Sequence, residues 1–389
     1  MSYRVVIIGG GVIGSSIACH LAMAGESSVL VVERDPTYQR ASSALSASSI
    51  RQQFSTPLCI RMSQFGFEFM RNVSEHLGVN GEPVALSLTE RGYLYLAASA
   101  AQSSRLDSVV AIQQKYDVPV VALDRQQLAG RFTWLNTDDL ELGALGTAGE
   151  GWFDGYSLLQ AFRNKARTLG VTYLTGDVVG LERTGSRIHG VKLAGGASFA
   201  ADVVVNAGGP HSAHIAKWAG FELPVEPQRR CIFAFSCPTD LSHMPLVIDP
   251  TGVFVRPENR VFIAGGPATP LSGADPLALE VDYEQFNDLI WPSLAHRIPA
   301  FESIRMTSAW AGHYEMNTFD HNALIGWTPG ATGLMLATGF SGHGMQHSPA
   351  AGRGVAELIT AGRFTTLDLS EFSPERIAQR RPIVELNVI

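Results

Sequence analysis

The stretch Arg4-Val5-Val6-Ile7-Ile8-Gly9-Gly10-Gly11-Val12-Ile13-Gly14 decides the fold. Its first five residues form a short apolar run rich in β-branched side chains, the pattern of a strand buried in a parallel sheet. The run empties into G-x-G-x-x-G. Beyond it Ile13, Ile17 and Leu21 recur at helical spacing, small Ala18 and Ala22 lie beside them, and Gly25 provides a stop. Ser28 to Glu33 reads as a second strand ending in an acid. Each part has a physical task. Gly9 permits a tight turn, Gly11 lets a pyrophosphate approach the backbone, and Gly14 lets the helix pack on the strand. The helix N-terminus at Val12 and Ile13 offers free N–H groups to phosphate. Glu33 stands where an acid accepts bonds from ribose hydroxyls, with Arg34 next to it. Together these parts predict a dinucleotide site, without choosing between FAD and NAD.

Working outward, Ala41 to Phe54 is rich in small and hydroxyl residues, including Ser42, Ser43, Ser48 and Ser49, and contains one cation, Arg51. Small residues let backbone come close to a flat or anionic ligand. Residues 57–80 and 101–116 read as amphipathic helices. A turn at Trp152 to Gly155 precedes a helix from Tyr156 to Leu169, and Val171 to Leu193, including Val178, reads as strands. Ala201 to Asn206 is another apolar strand, opening into Ala207-Gly208-Gly209. Alternating apolar residues such as Val253 to Arg256 and Arg260 to Ala264 predict an antiparallel sheet. Leu334 to Thr338 is a late strand that opens into Gly339-Phe340-Ser341-Gly342-His343-Gly344-Met345, followed by a helix from Ser348 to Thr360 with Gly362 as its stop.

The expected architecture is α/β: a Rossmann-like FAD-binding domain interrupted by a discontinuous antiparallel-sheet substrate domain. The expected boundaries are 1–85, 146–220 and 318–389 for the first, and 86–145 and 221–317 for the second. Strands that return late to glycine-rich turns suit extended FAD better than a nicotinamide dinucleotide.

Composition narrows the function. The 389 residues carry a formal charge of −7, so no basic field is available for nucleic acid or an anionic membrane surface. No apolar run approaches the roughly 18 residues needed to span a bilayer. Cys19, Cys59, Cys231 and Cys237 show neither zinc-site nor disulfide-framework spacing, so the expected compartment is the cytoplasm. His313, His321 and His347 lack metal-ligand spacing and are expected in ordinary polar roles. Ser341 lacks the context of a hydrolase nucleophile. Arg229-Arg230 reads as a solvated basic pair.

Gly9 to Gly14 with Glu33, the serine-rich segment ending at Arg51, Asn206 to Gly209, and Gly339 to Gly344 together resemble the D-amino-acid oxidase superfamily over nearly the whole chain. Val247 to Val253, Ser308 to Tyr314 and Asn317 to Asp320 resemble one subgroup of it more closely still. The resemblance implies noncovalent FAD and oxidation of a carbon–nitrogen bond beside a carboxylate. It implies that Arg51 holds the substrate carboxylate, that Tyr314 shapes the pocket, and that His343 stands beside the cofactor. The family places a cysteine for covalent flavin attachment where this chain has Gly312. It places a carboxylate-binding lysine where this chain has Gln346, which leaves Arg51 as the main cation, with Arg256 as the next candidate. The lysine that promotes reaction with oxygen is matched by an apolar residue near Phe262. That difference favours a dehydrogenase with a quinone or an electron-transfer protein as acceptor. The alternatives are oxidation of a 2-hydroxy acid, and a respiratory-complex assembly role with structural FAD.

Overall fold

The computed structural model describes residues 2–268 and 275–387. Its first sheet has a parallel centre. Ser2–Ile8 lies between Val29–Glu33 and Ser198–Asn206, and Thr172–Thr175 extends the sheet beyond Val29–Glu33. One edge of Ser198–Asn206 is shared between two partners. Its start pairs antiparallel with Arg187–Leu193, and its end pairs parallel with Leu334–Thr338. Val5, Val6 and Ile7 are fully buried, as an apolar strand covered on both faces must be. The late return of Leu334–Thr338 has a functional consequence. Three parallel strands now end side by side, at Ile8, Asn206 and Thr338, and each opens into a glycine turn at the carboxyl edge of the sheet, where ligands of α/β folds bind.

The helix Val12–Met23 packs between Gly155–Thr168 and Gly344–Ala361. The crossing with the last is close. A Cβ on Gly352 would stand 2.1 Å from Ser16 Oγ, which itself donates to the Ser348 carbonyl at 2.7 Å. That last helix starts at Gly344, four residues before the position expected from sequence. Pro349 lies inside it and cannot donate to the carbonyl of Met345. Ser348 Oγ donates to that carbonyl instead, at 2.9 Å, so the helix continues back to the glycine turn. Residues 57–80 also differ from expectation, dividing into Pro57–Arg71 and Val73–Leu77 before Gly78. The serine-rich segment contains one short helix, Ser42–Leu45.

The second sheet runs in the order Arg305–Asn317, Val225–Ser236, Val261–Gly265, Phe254–Glu258, Leu246–Ile248, Tyr93–Ala97, Leu142–Gly146 and Val120–Asp124. All its neighbours pair antiparallel except Leu246–Ile248 with Tyr93–Ala97. Alternation gives it two different faces. Phe233, Phe235 and Phe262 pack on Phe286 and Phe301 in a core of their own. Ile232, Ala234 and Ile263 face the other way, with Ala47 and Trp310. Trp310 Nε1 donates to the Leu45 carbonyl at 3.0 Å, tying this face to the serine-rich segment of the nucleotide side.

The C-terminal segment folds back over the start of the chain. Arg376 pairs with buried Asp320 at 2.7 Å, and Glu385 accepts from the backbone N–H groups of Ser55 and Thr56 at 2.9 and 2.8 Å. No helix of the described residues is long and apolar enough to cross a membrane.

Candidate functional site

A cavity of about 1170 Å³ runs from the carboxyl edge of the first sheet to the inner face of the second. The G-x-G-x-x-G turn builds its nucleotide end. Gly9 has φ +100°, and a Cβ there would meet the Ala207 carbonyl oxygen at 2.4 Å, so only glycine allows the strands ending at Ile8 and Asn206 to finish this close together. Gly11, Val12 and Ile13 line the cavity, as do Ala207 and Gly208 from the neighbouring turn and Arg34 and Val178 from the far side. Gly14 lies behind the wall. A Cβ there would stand 1.9 Å from the Gly9 carbonyl oxygen, so its contribution is close packing of helix on turn.

The helix Val12–Met23 has no acidic residue in its first turn, and its N–H groups open on the cavity. Ser43 Oγ accepts from Val12 N at 3.0 Å. Ser42 Oγ, also on the wall, is buried without a hydrogen-bond partner. A helix N-terminus, an orphan hydroxyl and bare glycine backbone fit a dinucleotide pyrophosphate. Glu33 lines the same end. Its Oε2 accepts from Gly10 N at 2.7 Å and its Oε1 from Asp35 N at 2.9 Å. It therefore braces the glycine turn as well as offering an acceptor to the cavity. Glu33→Ala should weaken FAD binding about tenfold or more, the worth of one charged hydrogen bond. An unchanged dissociation constant in a flavin titration would remove Glu33 from the site.

The other end of the cavity is built by Gly339 to Gln346. Phe340, Ser341, Gly342, His343, Gly344, Met345 and Gln346 line it; Gly339, at φ +71°, forms the turn behind. Ser341 spends its hydroxyl on this backbone, accepting from Asn317 N at 3.0 Å and donating to the Gly339 carbonyl at 3.2 Å. Gly342 has φ +89°, and a Cβ there would fall 2.4 Å from the Tyr314 ring. Tyr314 thus lies flat against the turn. Ser48 and Ser49 continue the wall toward Arg51.

Arg51 is buried, and no carboxylate pairs with it among the described residues. Its guanidinium lies 3.9 Å over the Phe54 ring, donates from Nη1 to the Gln53 carbonyl at 2.5 Å, and reaches His343 Nε2 at 3.2 Å and the Asn387 carbonyl through Nη2. Because Arg51 only donates, His343 Nε2 accepts, and the ring is neutral with its proton on Nδ1. Burial, then the Arg51 charge, holds His343 well below the usual imidazole range. Gln346 Oε1 accepts from Arg51 N at 2.8 Å, which leaves the amide nitrogen as its free donor. Glu315 lies deep in the protein but faces the cavity. Burial pushes its carboxyl up to about 7, although Thr338 Oγ1 and Gly339 N both donate to it.

Two expectations about cations change. Arg256 does not line the cavity. It donates to the carbonyls of Ala47 and Pro257 and pairs with Glu258, so it holds the second sheet against the serine-rich segment. The pair Arg229-Arg230 is not a solvated face. Arg229 is buried against Asp282, and Arg230 lines the cavity. The period-2 alternation of Gln228, Arg230 and Ile232 was the available signal, but only the pairing of Val225–Ser236 with Arg305–Asn317 says which face looks inward. Phe262 also points away, into the phenylalanine core; the apolar residue of that strand facing the nucleotide side is Ile263. Lys217, exposed on Ser212–Ala219, is the one lysine on the cavity wall among the described residues.

Comparison with known proteins gives one consistent result. The DAO family, described as FAD dependent oxidoreductase, matches residues 4–358. The chain is 40% identical to FAD-dependent oxidoreductase domain-containing protein 1 of Xenopus laevis, over 99% of this chain and 84% of the relative. It is 27% identical to glycine oxidase of Geobacillus kaustophilus, over 96% and 97% of the two chains. The crystal structure of L-proline dehydrogenase from P. horikoshii superposes with a TM-score of 0.86 at 27% identity, covering 98% of this chain and 99% of that one.

Proposed function

The chain belongs to the DAO family of FAD-dependent oxidoreductases, and we propose that it oxidises the carbon–nitrogen bond of a small carboxylated amine, an amino acid or N-alkyl amino acid, as a dehydrogenase. Relatives named for glycine and for L-proline support an amino-acid substrate. The observation that carries the reading is Arg51: a buried guanidinium without a carboxylate partner among the described residues, at the cavity wall beside the Gly342-His343 turn.

Bound FAD supplies the two-electron acceptor for a hydride leaving the substrate. The protein's own residues bind and orient. Among the described residues Arg51 leaves Nε–H and one Nη1–H unbonded, on different edges of the guanidinium, so a substrate carboxylate takes a single charged hydrogen bond from one of them, and the Gln346 amide adds a neutral donor next to it. Tyr93, Leu246, Ile248, Phe254 and Tyr314 make the surrounding wall mainly apolar, which excludes water and strengthens that ion pair. Neutral His343 sets no competing positive charge against Arg51. Orientation is the main catalytic contribution such a site makes.

Two measurements test the proposal. Anaerobic additions from a panel of amino and N-alkyl amino acids should bleach the flavin absorbance with at least one member and yield ammonia or an amine. Bleaching only by 2-hydroxy acids would overturn the carbon–nitrogen reading. Turnover with dissolved oxygen should be slower than with a quinone analogue, because the resemblance matches the oxygen-activating lysine of the family's oxidases to an apolar residue near Phe262, and the residue of that strand on the nucleotide side is apolar Ile263. Equal rates would overturn the dehydrogenase assignment. Acid precipitation should also release the flavin intact, since Gly312 offers no thiol and the Cys231 side chain packs in the phenylalanine core.

A further inference from the structure

Arg230 sits in the middle of Val225–Ser236, directly opposite Gly312 in the sheet. Its Nη1 donates to the Gly266 carbonyl at 3.0 Å, and its guanidinium lies 4.9 Å from the centre of the Tyr314 ring. Nε is buried with no acceptor, and Nη2 makes no hydrogen bond among the described residues. No acidic side chain pairs with it there either, and residues 269–274, Thr-Pro-Leu-Ser-Gly-Ala, contain none. Arg230 is half-buried on the cavity wall, and the fully buried arginines Arg297, Arg376 and Arg256 are treated differently: Arg297 has Asp249 and Asp139, Arg376 has Asp320, and Arg256 has Glu258. A guanidinium held out of water without a counter-charge is costly, and removing one partner of a buried pair leaves that cost in place. Burial lowers the pKa of Arg230, and Tyr314 is the group that opposes the shift. The open Nε–H and Nη2–H edge is the one that takes a carboxylate with two parallel bonds.

Of the arginine and lysine side chains that line the cavity, Arg34, Arg40 and Lys217 are exposed, whereas Arg51 and Arg230 are not. These two lie on different sides of the glycine turn. Arg51 reaches His343 from the Phe54 side, and Arg230 stacks on Tyr314, which covers Gly342. The two share no hydrogen-bond or ring partner among the described residues: Arg51 is held by Gln53, His343, Asn387 and Phe54, and Arg230 by Gly266 and Tyr314.

We propose that Arg230 is a second anion anchor of the substrate cavity, and that the amine this protein oxidises carries two acidic groups, one held by Arg51 and one by Arg230. The proposal rests on the reading of the cavity as a carboxylated-amine site and narrows its substrate class to dicarboxylic amines.

The test uses the FAD-loaded protein and ligands that cannot be oxidised. The dicarboxylates succinate, glutarate and adipate are titrated against the monocarboxylates of equal chain length, with binding read from the flavin difference spectrum. The wild type should bind its best dicarboxylate about tenfold or more tightly than the matching monocarboxylate. Arg230→Gln should lose that preference, with dicarboxylate affinity falling about thirtyfold, the lower range for truncating a buried charge partner, and monocarboxylate affinity moving far less. Arg230→Lys should restore part of the preference. A wild type without the preference, or an Arg230→Gln variant that keeps it, would overturn the proposal. So would equal loss of both ligand types or loss of FAD, either of which would assign Arg230 to the cofactor or the fold. The underlying reading fails separately: dicarboxylates that bind as expected while no amine bleaches the flavin would leave the anchor standing and remove the carbon–nitrogen chemistry. If no carboxylate of either kind perturbs the spectrum, both fall.

Discussion

Replacing Arg51 by alanine should lower kcat/KM for a carboxylated amine by about 2–5 kcal/mol, roughly thirtyfold to several thousandfold. The size follows from burial. Arg51 is shielded from water beneath Phe54, Gln53 and the C-terminal segment, so a carboxylate beside it interacts at low effective dielectric. Arg51→Lys should already raise KM, because the point charge of an ammonium cannot reproduce a planar guanidinium that bonds His343, two carbonyls and a ligand at once. Comparing each substrate with its carboxamide isolates the charge. The wild type should strongly prefer the carboxylate, and Arg51→Ala should lose most of that preference while FAD affinity stays near wild type. A variant that keeps the full preference would show that Arg51 only fastens the C-terminal segment.

Gly9→Ala should cost about 3 kcal/mol of stability and weaken FAD binding more than a hundredfold. Two penalties combine. An L residue at φ +100° is strained by about 1–2 kcal/mol, and the new methyl would press on the Ala207 carbonyl oxygen, an overpacking worth about 1–3 kcal/mol. Neither partner yields easily, because Ala207 N is bonded to the Ile8 carbonyl and Gly9 N to that of Val32. Gly11→Ala is the matched control. Its methyl would meet one atom, Ser43 Oγ at 3.2 Å, and otherwise open cavity, so it should weaken FAD binding with little change in melting temperature. Denaturation of the two apo variants, followed by flavin titration, separates the effects. A Gly9→Ala variant with wild-type melting and FAD affinity would mean that the two strand ends can move apart, contrary to the geometry.

Parts of this protein whose meaning lies in contiguous residues were legible in the sequence. Arg4 to Glu33 specifies a strand, a glycine turn, a helix and a second strand through local period and local steric demand, and the structure forms them within one or two residues. The antiparallel strands around Val253 to Ala264 and the late strand Leu334–Thr338 announced themselves the same way. What depended on distant partners was not legible. The last helix reaches back to Gly344 because Ser348 serves a carbonyl that Pro349 cannot, a compensation that propensity rules do not count. Arg229, Arg230 and Arg256 look alike as sequence. Strand register turned Arg230 toward the cavity, and folding supplied Asp282 and Glu258 to the other two. The covering of Arg51 by Asn387, more than three hundred residues away, was likewise decided only when the chain closed. Periodicity is written in neighbouring residues, whereas the charge state and direction of a buried side chain are set by whatever the fold brings against it.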